Sequence, residues 1–148
     1  MKVIFLDIDG VMNRRDTAPR TRSAGFDPVP ISCLNEILAA TGASIVVTGA
    51  LGRAMYLDDL KLFFQHSGIS GDAIIGVTEF GGGTRGEDIT AWLDEHPDHR
   101  EYYIVIDDAG IEDIRPHGSR FIKTDWNTGL TPACIPHAVR LLNRKRHL

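Results

Sequence analysis

The chain has 148 residues, of which 43% are hydrophobic and 24% charged, with a net charge of −4. This is long enough for a substantial core, and the composition excludes a disordered segment or a nucleic-acid protein coated with positive charge. No apolar run approaches the roughly 20 residues that a membrane helix needs, and the acidic residues in MKVIFLDIDG interrupt what would otherwise resemble a leader.

In chain order, Val3 to Leu6 is an apolar run closed by Asp7, Asp9 and Gly10, which reads as a buried strand ending in a turn. Residues 11–28 are polar and form a long loop carrying Arg14, Arg15, Arg20 and Arg22. Ile31, Leu34, Ile37 and Leu38 follow helical spacing up to Gly42. Ala43 to Val47 is a second strand, closed by Thr48 and Gly49. Leu57, Leu60, Phe63 and Phe64 mark a helix with Asp58 and Asp59 in its first turn and Gly68 at its end. Ala73 to Val77 is a third strand. A glycine turn at 81–83 then leads to a helix carrying Ile89, Trp92 and Leu93. Tyr102 to Ile106 is a fourth strand ending at Asp107 and Asp108, and Phe121 with Ile122 suggests a fifth. Thr131-Pro132 starts a last helix striped by Ile135, Ala138, Val139 and Leu142. Arg140, Arg144, Lys145 and Arg146 suit the negative end of its dipole.

Strands alternate with helices, and the strands are continuously apolar, as in sheets covered on both faces. The expected fold class is α/β: a three-layer sandwich around a mainly parallel five-stranded sheet, with residues 1–148 as one domain. Cys33 and Cys134 lie far apart in sequence, on predicted helices and without ligand spacing. They read as two buried, reduced thiols of a cytoplasmic protein.

In such sheets ligands bind at the carboxyl ends of the strands. Strand one supplies Asp7 and Asp9 there, strand two Thr48, and strand four Asp107 and Asp108. Carboxylates this close repel one another, and a divalent cation is the simplest remedy. Oxygen-only ligands favour Mg²⁺ over zinc.

Residues 7–13, Asp-Ile-Asp-Gly-Val-Met-Asn, follow an apolar N-terminal strand and resemble the first motif of the haloacid dehalogenase (HAD) superfamily. FLDIDGVMN, Phe26-Asp27-Pro28, Leu34-Asn35, IVVTG, Thr84-Arg85, IDD and Gly129-Leu130-Thr131 are similar to the small HAD domains associated with RNA repair proteins. The resemblance implies a HAD-like Rossmannoid fold and a Mg²⁺-dependent phosphatase working through an aspartyl-phosphate. It implies Asp7 as nucleophile and metal ligand, and Asp9 as acid and base whose backbone carbonyl also binds the metal. Side chains 7 and 9 point the same way if strand geometry persists through Ile8. Asp108 is implied as a direct metal ligand, with Asp107 acting directly or through water and Glu112 holding a metal-bound water. Thr48 and the amide of Gly49 would bind a phosphoryl oxygen, and Arg85 would neutralise its charge, with Lys123 as the alternative cation.

Asn13 is either a substrate contact or a loop residue. Arg53 is a candidate substrate contact, although the family's Ser-Ser-Trp-Arg-like run is here Thr48-Gly49-Ala50-Leu51-Gly52-Arg53, without the aromatic. Trp126, Asn127 and Thr128 either line the entrance or pack.

Neither the segment after Gly10 nor that between Thr48 and Arg85 has room for a full cap domain. The open site suits a phosphorylated small molecule lidded by a partner subunit, a nucleotide, or a nucleic-acid end tracked by the arginine-rich loop. The oligomeric state is left open. The alternative reading is a non-catalytic phosphate- or metal-binding module with a regulatory or partner-binding role.

Overall fold

A computed structural model describes residues 1–17 and 25–146. Its elements are β1 (Lys2–Leu6), α1 (Pro28–Thr41), β2 (Ser44–Val47), α2 (Ala50–Ala54), α3 (Leu57–Ser67), β3 (Ile74–Val77), α4 (Arg85–Glu95), β4 (Tyr102–Asp107), α5 (Ile111–Ile114), β5 (Phe121–Lys123) and α6 (Ile135–Leu142). The five strands form one sheet in the order β3-β2-β1-β4-β5, and every pairing is parallel.

Alternate side chains of each strand serve opposite faces. Ile4, Leu6, Ile45, Val47, Ile104 and Ile106 pack with Leu34 and Ile37 of α1, Leu60 and Phe64 of α3, and Leu141 and Leu142 of α6. On the other face, Val3, Phe5, Val46, Tyr103 and Val105 meet Ile89, Trp92 and Leu93 of α4 and Ile114 of α5. The result is the expected three-layer α/β sandwich. Its middle strands are β-branched and apolar because both of their faces are covered.

The helix ends follow local chemistry. Gly42 ends α1 with a left-handed φ of 69° and an N–H donated to Leu38 O at 2.8 Å. Thr84 caps α4 by accepting from Glu87 N at 3.2 Å. The last helix starts later than its Thr131-Pro132 signal suggests. Pro132–Cys134 is a single 3₁₀ turn, and α6 begins at Ile135 with Pro136 in its first turn. Cys134 therefore sits in that turn and is half-buried, while Cys33 is buried on α1. The carbonyls at the end of α6 are served from below: buried Arg120 donates to Leu141 O at 2.8 Å and to Arg144 O at 3.1 Å. Two short helices, α2 and α5, had no sequence expectation. Four or five residues are too few to show a period.

Candidate active site at the carboxyl edge of the sheet

The register extends one residue past the strands and brings the polar residues together. Leu6 lies opposite both Val47 and Ile106. Just beyond, Thr48 N donates to Leu6 O at 2.9 Å and Asp7 N donates to Ile106 O at 3.0 Å. Asp7, Thr48 and Asp107 thus stand side by side. The chain runs from β1 to β2 and β3 on one side, then crosses to β4 and β5 on the other. Such a reversal opens a crevice at the carboxyl ends of the strands.

Carboxylate oxygens of Asp7, Asp107 and Asp108 lie within 4.8 Å of one another. Arg85, the first residue of α4, donates a short hydrogen bond to Asp107 Oδ2 and comes 3.4 Å from Asp7 Oδ1. Burial pushes the carboxyl pKa of Asp7 well above the usual range. The charge of Asp107 adds to this, Arg85 opposes it, and Asp108 raises it further by charge and by a hydrogen bond. Burial likewise raises Asp107, against the pull of Arg85 and of the Ala109 N–H, which donates to its Oδ1 at 2.9 Å. Burial also works against the charge of Arg85, but Asp107 and Asp7 outweigh it and raise its pKa.

One guanidinium therefore leaves the three carboxylates undercompensated. An oxygen-only donor set carrying surplus negative charge fits a hard divalent cation. Asp7, Asp107 and Asp108 are the side chains that would hold it.

The turn after β1 is built around Asn13. Gly10 has a left-handed φ of 84°, and a Cβ there would strike the Asp108 carboxylate and the Trp126 ring. Asn13 is fully buried. Its Oδ1 accepts from Gly10 N, and its Nδ2 donates to Asp9 Oδ1, both at 2.9 Å. Thr124 Oγ1 donates to Gly10 O at 2.7 Å. Of the two expectations for Asn13, a substrate contact is thereby replaced by a loop role: it shapes the turn and holds Asp9. Asp9 itself departs from one expectation. Strand geometry stops at Leu6, so Asp7 is buried while Asp9 is exposed on the turn and its carboxylate stands outside the three-aspartate cluster.

Thr48 is 1% exposed, and among the described residues its Oγ1 has no hydrogen-bond partner. Gly49 has a φ of 85°, and a Cβ there would lie 2.7 Å from Asp7 Oδ1. That close approach is what requires glycine.

Arg53, in the last turn of α2, holds its guanidinium 4.6 Å from the ring centroid of Phe80. These two residues, with Gly49, Thr78, Arg85 and Asp88, line a cavity of about 160 Å³ beside Asp7. The ring beside Arg53 thus comes from the loop after β3, where no sequence signal marks it.

Lys123 is not the cation at Asp7. Its Nζ donates to the carbonyls of Asp108 and Ala109, both at 2.9 Å, and so holds the turn that carries Asp108. Glu112 is exposed and lies outside the acid cluster. Its neighbour Asp113 faces the Arg85 cavity instead and supports the charge of Arg85. The one-residue difference reflects the unanticipated turn of α5.

Behind Arg85, His117 is buried against Tyr103 Oη at 2.7 Å, Thr90 Oγ1 at 2.9 Å and Gly86 O at 3.1 Å. The Gly86 carbonyl can only accept, so Nε2 carries the proton and Nδ1 accepts from Tyr103. This ties the first turn of α4 to β4. The six histidines carried no expected role, and only the fold brings this one to α4.

Arg14 is engaged with Asp16 at 3.6 Å and Asp27 at 3.7 Å. Arg15 borders an open groove with Asp108, Lys123 and half-buried Trp126. Arg20 and Arg22 lie outside the described residues.

Among the described residues no helix is long and apolar enough to cross a membrane. A search of curated proteins finds none that matches the chain. The family model for the HAD domain in Swiss Army Knife RNA repair proteins matches residues 3–135, and the chain belongs to this HAD family.

Proposed function

We propose that the protein is a Mg²⁺-dependent phosphomonoester hydrolase with Asp7 as its nucleophile, acting on nucleotides or nucleic-acid ends. The observation that carries this reading is the pairing of buried Asp7 with Arg85 beside a buried Thr48 hydroxyl that has no partner among the described residues. A buried hydroxyl without a partner costs about 1–3 kcal/mol, a cost that a bound phosphoryl oxygen would remove.

In the first step an Asp7 carboxylate oxygen attacks phosphorus and the bond from phosphorus to the leaving oxygen breaks. Asp9 gives that oxygen its proton. In the second step Asp9 takes a proton from water as the water oxygen attacks phosphorus. The bond to Asp7 breaks and inorganic phosphate leaves. Thr48 Oγ1, the Gly49 N–H and Arg85 hold the phosphoryl oxygens and meet the charge that develops on them. The Asp9 backbone carbonyl would join the three carboxylates in holding the metal. Bound Mg²⁺ would supply charge neutralisation for nucleophile and phosphoryl group together. Asn13 orients the Asp9 carboxylate, and Lys123 orients the turn bearing Asp108. A cytoplasmic location is supported by two free thiols, Cys33 and Cys134.

The test is Mg²⁺-dependent phosphate release from an aryl phosphate, from 3′- and 5′-phosphorylated oligonucleotides and from free nucleotides. Asp7→Asn should abolish release on every substrate the wild type hydrolyses. Release unchanged by Asp7→Asn would refute the nucleophile. Mg²⁺ binding without release from any substrate would favour a regulatory module.

A further inference from the structure

Phe80 is 59% exposed, in the loop between β3 and α4, at the same edge of the sheet as Asp7. The loop carrying it is organised: Thr78 N donates to Val47 O at 3.1 Å, and Gly81 N donates to Asp88 Oδ1 at 3.0 Å. The ring is held as well, because Arg53 reaches it from α2 with its guanidinium 4.6 Å from the centroid. A cation–aromatic pair of this kind is worth about 0.5–1 kcal/mol at an exposed site, enough to bias the ring's position.

The pair lines the 160 Å³ cavity together with Gly49 and Arg85, which both approach Asp7. A substrate whose phosphoryl group sits against Asp7 and Arg85 can extend its leaving group into this cavity toward Phe80. The cavity is too small to enclose a large organic group. It suits a flat one laid on a partly open ring. Its other walls are polar, so an aliphatic leaving group finds little apolar surface there, whereas a heteroaromatic base stacks on the ring and keeps its polar edge in water.

We propose that Phe80, steadied by Arg53, is the platform on which the nucleobase of a nucleotide substrate stacks. This rests on the phosphatase reading and narrows its substrate class. Stacking of a base on an aromatic side chain contributes about 1–3 kcal/mol per base by alanine substitution. Each 1.4 kcal/mol is about a tenfold change in affinity. Phe80→Ala should therefore raise KM for a nucleotide by about 5- to 100-fold.

The experiment compares wild type, Phe80→Ala, Phe80→Leu and Phe80→Tyr on adenosine 3′- and 5′-monophosphate and on glycerol 2-phosphate, with Mg²⁺. Calorimetric binding of the same nucleotides and of inorganic phosphate, with Mg²⁺, to the same proteins carrying Asp7→Asn to prevent turnover accompanies it. The expected result is a raised KM and a weakened Kd for a nucleotide in the Ala and Leu variants, and near wild-type values in the Tyr variant. Glycerol 2-phosphate turnover and inorganic phosphate binding should not change. Equal losses on glycerol 2-phosphate and nucleotide, no loss on either, or wild-type nucleotide binding no tighter than that of inorganic phosphate would overturn the platform. The phosphatase reading fails separately: no ester is hydrolysed, while nucleotide binding still depends on the ring at position 80.

Discussion

Replacing Asp7 by Asn should make the metal-free protein more stable. Asp7 shares a 4.8 Å neighbourhood with Asp107 and Asp108. At an effective dielectric of about 20, each such repulsion is about 3.5 kcal/mol. The attraction of Arg85 at 3.4 Å is about 5 kcal/mol on the same scale. Two repulsions outweigh one attraction by about 2 kcal/mol, before the burial cost that also raises the pKa of Asp7. For a chain of this size, that corresponds to a Tm increase of roughly 4–8 °C.

The sign with pH is fixed by the direction of the shift. A carboxyl whose folded pKa lies above its unfolded value binds more protons when folded, so ionising it costs stability. The gain in the variant is therefore present at neutral pH. It fades as pH falls through the raised folded pKa of Asp7 toward the ordinary carboxylate range, where the native Asp7 is itself protonated.

The assay is thermal unfolding of both proteins in chelator at neutral and acidic pH, repeated across a Mg²⁺ titration. Mg²⁺ should raise the wild-type Tm more than that of the variant, because a ligand of the folded state alone stabilises it by RT ln(1 + [Mg²⁺]/Kd), more for the tighter site. A Tm that falls on Asp7→Asn in chelator would refute the reasoning. It would mean that the bond to Arg85 dominates and that the cluster is not short of positive charge.

Four further substitutions extend the test across the fold. Gly49→Ala would place a methyl group 2.7 Å from Asp7 Oδ1 at a φ of 85°, so displacing the carboxylate should lower kcat about 100-fold. Gly42→Ala, at a φ of 69° with nothing within 4 Å, should cost about 1 kcal/mol in urea unfolding and leave phosphate release unchanged. Lys123→Met should weaken Mg²⁺ binding about tenfold by calorimetry, with Lys123→Arg recovering part of it and substrate KM at saturating Mg²⁺ unchanged. An altered KM would make Lys123 a phosphate contact instead. Burial lowers the pKa of His117, so the unfolded state takes up its proton first and stability is lost as pH falls below roughly 6.5. The difference in urea midpoint between wild type and His117→Gln should shrink from pH 7.5 to pH 5.

The strands were legible because runs such as Val3–Leu6 and Ile45–Val47 are apolar, partly β-branched and bounded by polar turns. Once the strands are known, parallel register brings Asp7, Thr48 and Asp107 together without further information. What stayed hidden depends on tertiary position or on segments too short for a period. Helix α5 turns Asp113 rather than Glu112 toward Arg85. Phe80 reaches Arg53 across 27 residues of sequence. Asn13 has a residue type that suits a ligand contact and a turn equally, and only its burial decides between them. The side-chain direction of Asp9 failed for a local reason, since alternation cannot be carried beyond the last strand residue.

The placement of Arg85 adds a last step. It opens α4, where the helix dipole disfavours a cation, yet it is held there by the Thr84 cap and by the His117 bond to Gly86 O. Asp7 and Asp107 overcome that penalty, but only because they carry more charge than one guanidinium can neutralise. Three carboxylates against one guanidinium leave two negative charges, which one divalent cation cancels and a monovalent cation does not. A dianionic phosphoryl group entering the filled site then finds no surplus positive charge in that set. The Thr48 hydroxyl and the Gly49 N–H then add neutral donors to Arg85 in holding it. The arrangement therefore separates two tasks. On the proposed reading the aspartates would hold the cation while Thr48 and Gly49 serve the phosphate, so Thr48→Val should weaken phosphate binding and leave Mg²⁺ affinity unchanged.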